Sequence, residues 1–557
     1  MEERTLIAVV LSILVLIGFQ YFIGPPPKTP TKTATKTATK TTVKSTNSKN
    51  KVQNKTTISK TATNKNIGLS QTANSQKFVG AAKKIVVDTD LYHMVLTEDG
   101  GRIEKCLLKK YRVTVNPKSP PLNIVQVKPP NLPLGLVVGQ EPGANLSNML
   151  FKANKTKIVL NNNKKQQTLV LTDKLNNKIS VKKVFTFHEG TYWIDLKIQV
   201  IDQGKKITSP CRIVLYNRPP SHKLEYVFLG PAYCTQGKLE QIKLKHPGDH
   251  QKFSGPLDWM GYDDGYFLSA VIPLASKQNW TVTMQKINKK GLVQSTIGPD
   301  ITSKQQLSAA SMNFGLYLGP KEITRLKALH HHLAEAVDFG WFNIIAKPLL
   351  YVLKFFNKFF HNYGISIIVL TIVIKILFWP LTHKGQKSMK TMQKLQPKLK
   401  KLKEKYGDDK ERLNKELMQL YKTYKINPLG GCLPMVLQIP VFFALYKVLL
   451  QAIELRHAPF CLWINDLSAP DRLMIPGVHI PFLGGIPVLT LLMGVSMFIQ
   501  QKMSPSSLDP MQSKMMLFMP IIFTVMFINF PSGLVLYWLV NNILSIIQQY
   551  YINKFTD

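Results

Sequence analysis

One lysine stands where the residues around it leave no obvious room for a charge. Residues 364–381 read GISIIVLTIVIKILFWPL, apolar except for Ser366, Thr371 and Lys375. As a helix this stretch is about 27 Å long, close to the ~30 Å hydrocarbon core of a bilayer. A lysine at the centre of such a helix costs roughly 2.5–3.5 kcal/mol on insertion scales. Two readings of it stand side by side. Lys375 lies six residues before Leu381, about 9 Å from that end, so its stem reaches far enough to snorkel to the interface. Its helical neighbours point elsewhere. Thr371 lies four residues before it, and Phe378 and Thr382 three and seven after, so one face carries a hydroxyl, a cation and a second hydroxyl. Such a face suits protein or a water-filled groove, where an ammonium attracts acidic and polar chain segments.

The elements that would position this lysine follow it directly. Residues 382–426 hold 14 Lys/Arg, among them Lys398, Lys401 and Arg412, against five Asp/Glu, a net +9. Apolar residues recur at Met389, Met392, Leu395, Leu399, Leu402 and Tyr406, and again at Leu413, Leu417, Leu420 and Tyr424. That spacing is the seam of amphipathic helices. Gly407, Asp408 and Asp409 are residues that end one helix and cap the next, and Pro397 is placed to kink the first. The segment predicts a helical hairpin outside the membrane, kept cytoplasmic by the positive-inside rule.

Taken together, GISIIVLTIVIKILFWPLT, NPLGGC-P, APF-LWI-DLS and FPSGLVLYW resemble the YidC family of bacterial membrane protein insertases, densely from residue 338 to 551. The resemblance implies a multi-pass α-helical membrane protein of six transmembrane helices, five forming the insertase core, with a large periplasmic β-sandwich domain related to sugar mutarotases. It implies a hydrophilic groove holding a cation, usually arginine in the family and here Lys375. Thr371, Tyr537 and Trp538 match groove or client-contact positions. Lysine keeps the charge but not the planar fork of arginine.

The remaining chain fits this outline. Its 557 residues carry a net charge of +40 and a pI near 9.9, a balance expected for membrane-surface or nucleic-acid binding, and the long apolar runs favour the membrane. Residues 1–24 hold an apolar run (6–23) without a small-x-small cleavage site, which reads as an uncleaved signal anchor rather than a cleaved signal peptide. Residues 25–77 have 11 lysines and no acid, a composition that cannot bury a core and reads as a tether. Without arginine or aromatics it is a poor nucleic-acid tail. Residues 78–330 change to strand patterning, with a turn at 99–101 and a hairpin of 179–187 and 192–200 around His188, Glu189 and Gly190. His188 and Glu189 lie in that turn and make no convincing active site. Residues 338–362, with Lys347, Lys354, Lys358 and His361 on one side, predict an interfacial amphipathic helix.

Within 363–552 the expected spans are 364–381, 429–450, 486–503, 515–530 and 533–550, with the cytoplasmic hairpin at 382–426. Counting the first run, both termini are then cytoplasmic. Short spans thin a bilayer, and Met-rich apolar surface suits varied clients. Met435, Phe442, Phe523 and Met526 are therefore assigned to an apolar slide beside the groove. The cysteines, Cys106, Cys211, Cys234, Cys432 and Cys461, show no metal spacing, and a disulfide among the first three stays open. No nucleotide loop or nucleophile–base set occurs. The reading is a non-enzymatic insertase and chaperone of the bacterial inner membrane, without cofactor, metal or specific nucleic acid. Its partners are nascent membrane proteins and the lipid bilayer, with the Sec translocon and a ribosome or signal recognition particle pathway as further candidates. A secondary transporter using Lys375 is the alternative, but no internal repeat supports it.

Overall fold

The computed structural model describes residues 82–555 except 139–143, 148, 162, 176–178, 203–204, 207–210, 221–226, 276–277, 301–310, 408, 425–432, 478–479, 482 and 504–509. The expected signal anchor and tether, Asp408, Cys432 and most of KINPLGG lie outside the described residues.

Residues 84–320 build three sheets of five, ten and six strands. The hairpin expected around Gly190 is present: Ile179–His188 pairs antiparallel with Trp193–Asp202, and Gly190 turns the chain at φ +76°. Its alternation sets the core, with Val181, Phe185 and Phe187 buried on one row. Lys183 belongs to that same row and is buried with them. Its Nζ donates to the carbonyls of Gly100 at 2.7 Å, Leu134 at 2.7 Å and Gly101 at 3.4 Å. The strands Trp259–Asp263 and Phe267–Pro273 form a second hairpin in the ten-stranded sheet. Beside its turn, Lys321 reaches Asp263 at 2.8 Å, both side chains 5% exposed. Cys106, Cys211 and Cys234 are buried free thiols, so no disulfide joins them.

After a short helix α1 (Ile323–Ala328), α2 (Asn343–Phe360) buries Ala346, Leu350 and Leu353 and exposes Ile344, Phe355 and Phe359. Two lysines of its expected headgroup face are taken up inside the protein. Lys347 pairs with Glu335 at 3.0 Å, and Lys354 with Glu454 at 2.9 Å and Thr324 at 2.9 Å. Helix α3 (Tyr363–Lys394) starts on the Asn362 side chain, which accepts from the Gly364 and Ile365 amides. Gly364 is needed there because a Cβ would run into the Phe460 ring.

Helix α3 continues past the expected span end, and the chain breaks at Leu395. The segment expected to be one kinked helix is thus two, and the hairpin begins later than 382. Pro397 sits in the first turn of α4 (Gln396–Tyr406), where its missing N–H costs nothing. Helix α5 (Lys410–Thr423) is capped by Asp409, which accepts from the Arg412 amide at 3.0 Å. Within this hairpin Lys398 lies over the Tyr424 ring at 4.7 Å and Arg412 over Tyr406 at 5.3 Å. The rest of the chain forms α6 (Leu433–Gln451), α7 (Val488–Met503), α8 (Pro510–Phe527) and α9 (Ser532–Phe555).

Among the described residues one helix, Tyr363–Met392, is long and apolar enough to cross a membrane by length and composition. Gln438–Gln451, Val488–Met503 and Leu517–Phe527 are shorter apolar stretches. Helix α9 is diluted by Asn541, Asn542, Gln548 and Gln549. By this measure the expected number of spans is not reached.

Candidate functional site

Helix α9 supplies a polar row, and three other helices meet it. Lys375 of α3 donates to Ser545 Oγ at 2.7 Å, and Ser545 donates onward to the Asn541 carbonyl at 2.8 Å. The Asn541 side chain accepts from Gln438 of α6 at 2.8 Å. Asn542 donates to Ser496 of α7 at 3.0 Å, and Gln548 to Thr382 of α3 at 2.7 Å. These groups are at least partly buried, where unpaired amides and hydroxyls would be costly, so the bonds fix how the helices face one another.

Lys375 itself is part-buried, while Ile376 and Leu377 beside it on the opposite side are exposed. No acid pairs with it among the described residues; its one hydrogen-bond partner is neutral. The expected polar face is narrower than two hydroxyls and a cation. Thr371 is 1% exposed and donates to the Ile367 carbonyl at 2.7 Å. Thr382 does join the network, accepting from Gln548.

An aromatic cluster lies at the other end of α9. Trp538 meets Phe442 of α6 edge-on at 4.7 Å and Phe527 of α8 at 4.9 Å, with Phe523 at 6.0 Å. Tyr537, buried, stacks on Phe442 at 6.3 Å. Met526 is exposed on α8 near Ile521, Ile522 and Val525, which are exposed too. Met435 lies in α6, its side chain outside the described residues. The structure thus joins Tyr537, Trp538, Phe442 and Phe523 in one cluster and places Lys375 with Ser545. In the sequence Asn541 and Ser545 read as polar residues suited to ordinary interhelical hydrogen bonds, but a polar residue in an apolar helix does not announce its partner, and Gln548 went unassigned. Among the described residues no group of His, Cys, Asp and Glu is arranged to hold a metal.

Residues 355–557 match the family model described as 60Kd inner membrane protein, and residues 84–352 match the YidC periplasmic domain. The chain is 45% identical to the membrane protein insertase YidC of Syntrophobacter fumaroxidans, over 84% of this chain and 86% of that one. It is 42% identical to the protein of that name from Syntrophus aciditrophicus, over the whole of both chains. The chain belongs to the YidC family of membrane protein insertases. Among solved structures it is similar to an active YidC insertase with the first transmembrane domain resolved, at 17% identity and a TM-score of 0.37, covering 86% of this chain and 94% of that one. At that score the likeness carries no argument about geometry. For this YidC-family chain, the residues above are what its own helices bring together.

Proposed function

We propose that this chain inserts nascent membrane proteins into the bacterial inner membrane and helps them fold, with Lys375 as the cation of a hydrophilic groove. In this reading the polypeptide crosses the membrane six times, with both termini in the cytoplasm and the β-rich domain in the periplasm. A client's polar segment enters the groove from the cytosol. Its apolar segment leaves along the surface of α6 and α8, the helices that carry Met435, Phe442, Phe523 and Met526. The basic hairpin, with Lys398, Lys401, Asp408, Asp409 and Arg412, receives clients or the factors that deliver them. The Sec translocon, ribosome and signal recognition particle pathway are its proposed partners. Binding and release, without group transfer, describe the work.

The observation that carries this reading is the position of Lys375 among its neighbours. It sits within the apolar helix, with a hydroxyl as partner and, among the described residues, no acid to neutralise it. A snorkelling lysine would extend into solvent; this one turns onto α9. At ~8 Å and an effective dielectric of 20, its attraction for a carboxylate is about 2 kcal/mol, enough to bias entry and weak enough to permit release. The test is insertion by purified protein in liposomes, using a small membrane client with an acidic tail and the same client with its tail neutralised. Lys375→Ala should lower insertion of the acidic client by about tenfold or more, Lys375→Glu more, and Lys375→Arg little. Equal insertion of both clients by Lys375→Ala at wild-type rates would return the lysine to a snorkelling role.

A further inference from the structure

We propose that Ser545 is the positioning residue for Lys375, and that discrimination between acidic and neutral clients depends on its hydroxyl. This rests on the groove reading above and adds to it a specific cause for where the cation sits. A lysine has a flexible four-carbon stem and, unlike arginine, no planar fork to fix its direction. On α3 the residues just beyond it, Ile376 and Leu377, are exposed and apolar, so nothing on its own helix holds the ammonium in place.

Ser545 does. Its own proton goes to the Asn541 carbonyl at 2.8 Å, which commits the hydroxyl to accept, and Lys375 donates to it at 2.7 Å. One of the three N–H groups of the ammonium is thereby used and two remain for water or a client carboxylate. Ser545 is itself buried. It lies between two side-chain bonds that set the position of α9: Gln438 to Asn541 before it and Gln548 to Thr382 after it, at 2.8 and 2.7 Å. The acceptor is therefore held on a rigid element. It is also uncharged, so it directs the cation without neutralising it, as an aspartate here would. Without it the stem would be free to swing toward the cytosolic end of α3.

The experiment compares Ser545→Val with Ser545→Thr, side chains of the same shape that differ by the hydroxyl. The readout is the ratio of acidic-tail to neutral-tail client inserted by the full chain in liposomes. Ser545→Thr should keep the ratio, and Ser545→Val should lower it about fivefold to tenfold. In a Lys375→Ala background, Ser545→Val should have no further effect. A ratio unchanged in Ser545→Val while Lys375→Ala abolishes it would overturn the positioning role and leave the groove cation standing. Equal loss for both clients, or a loss that persists in the Lys375→Ala background, would assign Ser545 to helix packing and also overturn it. A Lys375→Ala protein that discriminates as wild type does would remove the groove reading and this one with it.

Discussion

Lys183 and Lys321 in the β-rich domain and Lys375 in the helical region are all drawn away from water, yet their surroundings differ in kind. Lys321 has a carboxylate at 2.8 Å and the Ala336 carbonyl at 3.3 Å. Lys183 has three backbone carbonyls, one for each N–H of an ammonium. Each ammonium thus has two or three protein acceptors among the described residues. Among the described residues Lys375 has a single hydroxyl. A buried charge is tolerated when paired and hydrogen-bonded. In the β-rich domain the pairing is more complete; on the proposed reading the site at Lys375 leaves part of it open for a segment of another chain.

The comparison breaks first at Lys321. Lys321→Met leaves the Asp263 carboxylate buried beside an apolar side chain, and removing one partner of such a pair typically costs roughly 3–5 kcal/mol. Thermal melts of the detergent-solubilised chain should show the domain transition falling by about 10 °C or more. Replacing both residues, Lys321→Met with Asp263→Leu, should recover much of that loss. A melting temperature unchanged in the single variant would mean that this pair is not what the turn depends on.

Lys183→Met is the milder case, because what it strands is carbonyl groups rather than a charge. Methionine fills the volume, but Gly100 and Leu134 lose their donor, at roughly 2–3 kcal/mol. Burial pulls the Lys183 amine down to about 7, helped by the nearby Arg102 charge. Its folded-state value is below the unfolded one, so its contribution to stability rises with pH between about 7 and 10 and is flat below. The wild-type melting temperature should carry that rise and Lys183→Met should lack it. The same slope in both proteins would count against the assignment.

How much of this was legible in the sequence follows the same divide. Lys375 was visible because a charge inside an apolar run violates the pattern around it. Asp409 was visible as a cap because its acceptor sits three residues from the amide it serves. Lys183 was equally visible in principle: it falls on the row of Val181, Phe185 and Phe187, two residues apart each time. A lysine in a strand is normally taken to face water. What pairs with what across the chain was not legible. Asp263 and Lys321 are 58 residues apart, and Lys375 and Ser545 are 170 apart. Local period says which face a residue occupies, but only the packed helices say which neighbour that face meets. Thr371 shows the limit from the other side. Its place beside Lys375 was right, but a threonine in a helix readily turns its hydroxyl onto the carbonyl four residues back.

Asp264 gives the smallest expected effect and the sharpest contrast, since it shows what the domain does with a charge it has not paired. It lies in the turn between Trp259–Asp263 and Phe267–Pro273, one residue past the Asp263–Lys321 pair. Its Oδ1 accepts from the Phe267 amide at 2.6 Å, but no cation bonds to it among the described residues. Burial pushes its carboxyl up to about 7, and the neighbouring Asp263 adds to that, although the amide bonds and Lys321 pull the other way. Folding therefore takes up a proton here between about pH 4 and 7, and stability falls as pH rises through that window. Asp264→Asn keeps an acceptor for the Phe267 amide and removes the charge. Its gain over wild type should be near zero at pH 4, grow through the window and level off above pH 7. Since Asp264 is only half-buried and water screens it, the plateau should be about 1 kcal/mol, or about 2–4 °C in the melting temperature. The measurement is a pair of melting curves from pH 4 to 8. A gain independent of pH would mean that the carboxyl is not the titrating group. A loss at pH 8 would mean that the charge is held by a partner after all.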